Sequence, residues 1–277
     1  MGIFVGLLDG HRLAAAFHER IGGVVQITGS YWRVFIVGSI FFQVAILMLV
    51  AVRLAGDTIL GRIVDLLALS IIVCALLFTY TRGYWLTAII GLFVLALVTT
   101  PRGRIKWVAG GLVALLASIA LLLAADISVV DVFVQRFLLL FNPDRDVSVA
   151  LRVDLYPRLI ARIAERPLFG YGFGLPVENQ LYYENSYLYY LIKFGFVGLA
   201  VMAWGWILVL IEGVRLSRAR LERWPRAIAA GVVAATVSML AVAHVNPFIN
   251  SALGLYFLAW SAAVLYGLRC EADRRAH

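Results

Sequence analysis

Seven apolar runs, each close to the length that crosses a bilayer, dominate the chain: Val34–Val52, Ile63–Tyr80, Trp85–Thr99, Val108–Ala125, Phe196–Val214, Ala227–Ala243 and Ala252–Tyr266. A hydrocarbon core of about 30 Å takes roughly 20 helical residues to cross. Inside it every backbone group must find its partner within the protein, which for runs of this kind means helix. The expected fold is therefore all-α: a polytopic membrane protein with about seven transmembrane helices and one large external helical loop. Composition agrees, with 63% hydrophobic and 14% charged residues against about 25% charged in soluble domains. No tandem repeat or low-complexity linker divides residues 1–277, so they read as a single integral-membrane domain.

The formal charge of +8 reads as a topology signal rather than a nucleic-acid surface, because Arg and Lys accumulate in cytoplasmic loops of membrane proteins. "PRGRIK" (Arg102, Arg104, Lys106), "VRLSRARLERWPR" (Arg215 to Arg226) and "RCEADRR" (Arg269 to Arg275) are separated by even numbers of spans. All three then face the cytoplasm. The outer face receives the segment 126–190, the "TRGY" turn after Tyr80 and the "HVNPF" turn at His244. The start, "MGIFVGLLDGHR", lacks the basic flank and cleavage site of a signal peptide. Counting back places it outside, which leaves two expectations: Met1–Leu8 is the stub of a missing helix, or the chain is the later part of a larger membrane unit. Cys74 in a span and Cys270 on the inner tail form neither a disulfide framework nor a CxxC site.

Within the external loop, "SVVDVFVQRFLLLF" suits an interfacial helix, and "NPDRD" a turn. From Val149 to Arg166 helical spacing returns, with Pro157 expected to kink or restart the helix and Arg158 and Arg162 sharing a face. Pro167 should stop it, and Gly170, Gly172 and Gly174 follow. Glu184 and Asn185 should open the next long helix at the outer interface.

Chemistry concentrates on that outer side. Arg82 opposes the positive-inside trend, so it either snorkels to lipid phosphates or serves a ligand. Arg152, Arg158, Arg162 and Arg166 carry planar forks suited to phosphate, or else pair with Asp154 and Glu165. "GYGFG" permits positive φ and close backbone approach to a ligand, or is a plain interhelical loop. Glu184 in "YYENSYL" sits in an aromatic surround that raises a carboxylate pKa and fits it for proton transfer; the alternative is a helix-start acid. Asn185 is a candidate ligand contact or a simple cap. His244 lacks any HxxxH or His/Cys companion, and no metal site is expected.

In their order these elements resemble the superfamily of bacterial O-antigen ligases and O-antigen or exopolysaccharide polymerases. The shared features are "TYTRGYWLTAIIGLFVL", "LRVDLYPRLIARIAERPLFGYGFG" and "ENSYLYYLIKFGFVG", spread over roughly Trp32 to Tyr266. The resemblance implies glycosyl transfer from an undecaprenyl-diphosphate-linked oligosaccharide to an acceptor glycan or lipid, without metal or other cofactor. It places the work at the periplasmic face of the bacterial cytoplasmic membrane, with other polysaccharide-assembly proteins as further partners. Carried over, it makes Glu184, Arg82 and Arg152 catalytic, the two arginines holding diphosphate, and assigns Arg158, Arg162, Gly170, Gly172 and Asn185 to substrate binding. Glu184 stands where ligases commonly carry histidine, which leans toward a polymerase, and the several spans that usually precede Trp32 are missing. Two other readings stay open: a carrier or flippase of lipid-linked sugar, and a non-catalytic member of the family.

Overall fold

The computed structural model describes residues 24–28, 31–35, 37–56, 58–77, 79, 81–99, 147–174, 176 and 185–276. These are helical apart from one antiparallel hairpin, β1 (Val24–Thr28) and β2 (Tyr31–Phe35), paired from Val24 with Phe35 to Thr28 with Tyr31. A 3-10 turn (Val37–Ile40) leads into α1 (Phe41–Leu54), followed by α2 (Arg62–Leu77) and α3 (Arg82–Val98). Then come α4 (Val147–Glu165), α5 (Ser186–Arg218), α6 (Arg223–Val242) and α7 (Ala252–Ala276).

α6 is the axis of the bundle, packed against α1, α3 and α5. Its sequence explains why. Ala229, Ala230, Gly231, Ala234, Ala235 and Ser238 are all buried, and in lipid it is small residues of this kind that let backbones approach closely. A Cβ on Gly231 would stand 2.8 Å from Met48 Sδ, and one on Gly91 of α3 would stand 2.5 Å from Leu47 Cδ1. A buried polar chain joins the same three helices. Thr87 Oγ1 donates to Gln43 Oε1 (2.8 Å), Gln43 Nε2 donates to Met239 Sδ (3.0 Å), and Ser238 Oγ donates to the Thr87 carbonyl (2.7 Å). Gln43, the polar interruption in the first apolar run, is thus an interhelical bond.

The expected all-helical membrane fold is seen apart from the hairpin, while the count of about seven spans is not confirmed. Among the described residues three helices are long and apolar enough to cross a membrane, Ser186–Arg218, Arg223–Val242 and Ala252–Arg274, while Gly38–Leu54 and Arg82–Val98 are shorter apolar helices. The first run loses Val34 and Phe35 to β2, where β-branched and aromatic residues pair well across strands. The second is a helix of 16 residues that ends at Leu77; Asp65 fixes the turn ahead of it, its carboxylate accepting from Ile59 N (2.9 Å) and Leu60 N (3.0 Å). The run Val108–Ala125, the helix at "SVVDVFVQRFLLLF" and the "NPDRD" turn lie outside the described residues. Pro157 sits inside the continuous helix α4 rather than restarting it. Glu212, near the C-terminal end of α5, takes ion pairs from Arg215 (3.6 Å) and from Arg269 of α7 (3.9 Å), which puts these two basic helix ends together.

The least expected feature is a break inside α5. Gly195 has φ 65° and ψ −165°, so the helix divides into a short piece before it, the outer piece in the topology expected from sequence, and a long membrane piece after it. A break in apolar surroundings frees backbone groups that water cannot reach, and each must be bonded elsewhere. The loop after α4 supplies four of these bonds. Tyr171 N donates to the Ile192 carbonyl and Gly172 N to the Lys193 carbonyl, both at 2.8 Å; Phe196 N donates to the Pro167 carbonyl (2.8 Å) and Val197 N to the Leu168 carbonyl (3.2 Å).

Candidate active site where α3 and α5 begin

The turn that carries Arg82 is built by its threonines. Thr79 Oγ1 donates to the Leu76 carbonyl (2.7 Å), Thr81 N donates to Thr79 Oγ1 (3.3 Å), and Trp85 Nε1 reaches back to Leu76 O (3.1 Å). α3 therefore starts at Arg82, leaving the guanidinium half-buried at the N-terminus. A cation there opposes the helix dipole. The position is one where an anion, not an arginine, would stabilise the helix by itself.

The "HVNPF" turn clasps this start to that of α5. Asn246 Nδ2 donates to the buried Tyr84 hydroxyl (2.9 Å), while the Asn246 carbonyl accepts from Ser186 Oγ (3.1 Å). Ser186 N donates to the Ala243 carbonyl (2.8 Å), and Tyr187 O–H donates to the Leu240 carbonyl (2.7 Å). The Tyr187 ring lies 4.6 Å from that of His244. A Cβ on Gly83 would stand 2.7 Å from Val245 Cγ2, so a side chain there would have to displace Val245. Asn185 is the N-cap of α5, its Oδ1 accepting from Tyr187 N (3.0 Å) and Leu188 N (3.1 Å). The capping alternative is thus seen directly, with that oxygen committed to the helix.

α4 lies against the outer piece of α5 through a buried cluster of Leu159, Tyr189 and Ile192. Arg158 and Arg162 are exposed on α4, and Arg162 pairs with Glu165 at 3.0 Å. Tyr171 donates its O–H to the same carboxylate (2.5 Å) and lies under the Arg166 guanidinium, 5.1 Å from the ring centre. The Tyr171 hydrogen bond and then Arg162 hold the Glu165 carboxyl below its ordinary range, and the same hydrogen bond raises the Tyr171 hydroxyl. This cluster folds "GYGFG" back beneath α4.

The close approach expected of those glycines is real, but its object is α5. A Cβ on Gly170 (φ +65°) would stand 2.4 Å from the Ile192 carbonyl oxygen and 2.8 Å from Gly195 N. The amides of Tyr171 and Gly172 are bonded to α5 carbonyls. Glu184 lies outside the described residues, and Arg152 is described in its backbone alone, within α4. Among the expected site residues, Arg82 and Asn185 stand at helix starts that the Asn246 clasp joins through Tyr84 and Ser186. Gly170 and Gly172 tie α4, which carries Arg158 and Arg162, to the outer piece of α5.

Lys193 escaped the sequence reasoning. It lies within the outer piece of α5 and is only 1% exposed. The signal was present as one lysine inside "YLYYLIKFG", and a cation buried in an apolar helix is costly enough to be a functional candidate.

No curated protein and no solved structure matches the chain. A family model does: residues 67–203, from within α2 through the break in α5 and including both the Arg82 turn and the stitched loop, match the model described as O-Antigen ligase, a match consistent with a member of the O-antigen ligase superfamily.

Proposed function

We propose that the chain is a membrane glycosyltransferase that polymerises or ligates undecaprenyl-diphosphate-linked glycan at the outer face of the bacterial cytoplasmic membrane. The observation that carries this is the Asn246 clasp, which joins the helix start bearing Arg82 to the helix start immediately following Glu184. In this reading Arg82, at the positive pole of α3, and Arg152 bind the diphosphate and stabilise it as it departs, the kind of electrostatic help that preorganised cations supply. Glu184 takes the proton of the acceptor hydroxyl while that oxygen attacks the anomeric carbon and the C–O bond to diphosphate breaks. Arg158 adds a cation on the exposed side of α4, and Arg162 does so once drawn from Glu165. Gly170 and Gly172 act by holding α4 in place, and Asn185 by fixing the helix start beside Glu184. The acceptor is a glycan or lipid hydroxyl, and other polysaccharide-assembly proteins complete the pathway.

A carrier or flippase of the same lipid-linked sugar is the second reading, favoured by the broken helix, since transporters use unwound helices to coordinate their cargo. Against it, the carbonyls of Ile192 and Lys193 at this break already accept hydrogen bonds from the loop. The deciding experiment is reconstitution with undecaprenyl-diphosphate oligosaccharides, following released undecaprenyl diphosphate and glycan length for wild type, Glu184→Gln and Arg82→Ala. Lengthening ladders lost in both variants support a polymerase, and single-block transfer to another acceptor supports a ligase. Movement of the lipid-linked sugar across the bilayer without release of diphosphate supports the carrier.

A further inference from the structure

The lipid-facing stripe of α5 does not end at the helix. Below the break, Val197, Val201, Trp204, Leu208 and Ile211 are exposed at intervals of four, three, four and three residues, while Trp206, Val209, Gly213 and Leu216 form the buried face toward the bundle. At the upper end the stripe passes onto the loop. Phe196 and Val197, both exposed, are hydrogen-bonded through their amides to Pro167 and Leu168, and the next exposed side chains are Leu168 and Phe169 (73%), followed by Phe173 (74%). Phe173 is stacked on Phe194, ring centres 6.3 Å apart, so its position follows that of α5.

Depth follows from helix geometry. From Gly195 to Arg215, the first arginine beyond the break, α5 rises about 30 Å at 1.5 Å per residue, matching the hydrocarbon thickness of about 30 Å. With Arg215 at the inner boundary, the break lies at the outer edge of the acyl chains. The four backbone hydrogen bonds fix the loop at that level. Just before the loop come Arg162, Glu165 and Arg166, at the depth of the headgroups.

We propose that Leu168, Phe169 and Phe173 form a wedge that inserts into the acyl-chain region of the outer leaflet, making the "PLFGYGF" loop an interfacial anchor for α4. The occupant of this surface is bilayer lipid, because the surface is continuous with the lipid-facing stripe of α5 and its polar neighbours match the headgroup layer in position and charge. Its role is to set the height of the α4 arginines above the membrane, independently of whether the protein transfers, carries or only binds glycan.

The test uses full-length protein in phosphatidylglycerol-containing nanodiscs, in a Cys74→Ala, Cys270→Ser background, with a nitroxide placed by Phe169→Cys or, separately, Phe173→Cys. Trp204→Cys and Arg158→Cys provide mid-bilayer and aqueous references. Collision with oxygen and with a water-soluble nickel chelate reports depth. We expect both loop labels to be oxygen-accessible and nickel-protected, with a nickel collision rate at least about fivefold below that at position 158. Nickel access equal to that at 158 overturns the wedge. Protection from both oxygen and nickel means that protein covers the patch and also overturns it. Protection that arises only on adding undecaprenyl diphosphate assigns the patch to the donor's isoprenoid chain instead of the bilayer.

Discussion

Replacing Gly195 by alanine tests whether loop and helix break are one unit. At φ 65° and ψ −165° the residue occupies backbone space used almost only by glycine, where a side chain costs on the order of 1–3 kcal/mol. Space adds a second cost. A Cβ here would stand 2.2 Å from the Leu168 carbonyl oxygen, 2.3 Å from its carbon and 2.5 Å from Phe169 N. All are backbone atoms, so relief requires the loop to move off and give up the bonds from Phe196 N and Val197 N, each worth about 0.5–1.5 kcal/mol net. The combined penalty is about 2–6 kcal/mol, against a typical total stability of about 5–15 kcal/mol, so local undocking is the cheaper response. Hydrogen exchange in detergent or nanodiscs reads it. The amides of Tyr171, Gly172, Phe196 and Val197 should exchange at least about 30-fold faster, the factor that corresponds to roughly 2 kcal/mol, while the buried centre of α6 keeps its protection. Gly172→Ala is the control, since Gly172 also has positive φ (+87°) but nothing within 4 Å of an added Cβ. Unchanged exchange in Gly195→Ala, or a change no larger than in Gly172→Ala, refutes the interlock.

The Glu165 carboxyl is held below its ordinary value of 4.5 by Tyr171 and Arg162. Its contribution is therefore present above that value and lost as pH falls through the lower folded-state value: exchange at Tyr171 and Gly172 should quicken below pH 4.5, and Glu165→Gln should abolish the dependence. Thr87→Val leaves Gln43 Oε1 without its donor, which should cost about 1–2 kcal/mol in unfolding titrations and be partly recovered by adding Gln43→Leu. Asn246→Ala removes the side-chain bond to Tyr84 and should lower turnover on the order of 10–100-fold by misplacing the Arg82 turn, with little change in thermal stability. Equal turnover would show that the clasp does not position the site.

Much of this architecture is legible because lipid imposes it. The later apolar runs are α5, α6 and α7, Pro167 follows the end of α4, and Asn185 caps α5. Side-chain signals carry each of these, whether hydropathy, a missing amide or a capping oxygen. The break at Gly195 has no such signal. In "KFGFVG" nothing in the residue types sets this glycine apart from one inside a continuous helix, and only the positive φ and the facing loop reveal the break. Backbone-to-backbone pairing of this kind depends little on side chains, and its partners lie some 25 residues earlier. The Asn246 clasp is hidden for a related reason: its partners are Tyr84 and Ser186, 162 and 60 positions away, and nothing local distinguishes it from any asparagine ahead of a proline. The candidate site is thus legible in its residue types but not in its assembly.

The break also separates two tasks within one helix. Below Gly195, α5 is a membrane span whose buried face is matched to α6 and α7; a Cβ on Gly213 would stand 2.6 Å from Val233 Cγ2. Above it, the outer piece contacts the elements of the candidate site: Ser186 bonds to the Asn246 turn, Tyr189 and Ile192 pack on α4, and the carbonyls of Ile192 and Lys193 hold the loop. An unbroken helix would continue the membrane axis straight upward and would have no free carbonyls with which to capture the loop, leaving α4 tied to it by side-chain packing alone. Substitutions should therefore divide at this residue. Gly213→Leu overpacks the α5–α6 seam and should lower the melting temperature without altering the substrate dependence of the protein that remains folded. Ser186→Val removes one buried hydroxyl bond above the break and should shift turnover more than stability. If both variants lose activity only in proportion to the folded fraction, the outer piece is structural support and the catalytic geometry lies elsewhere.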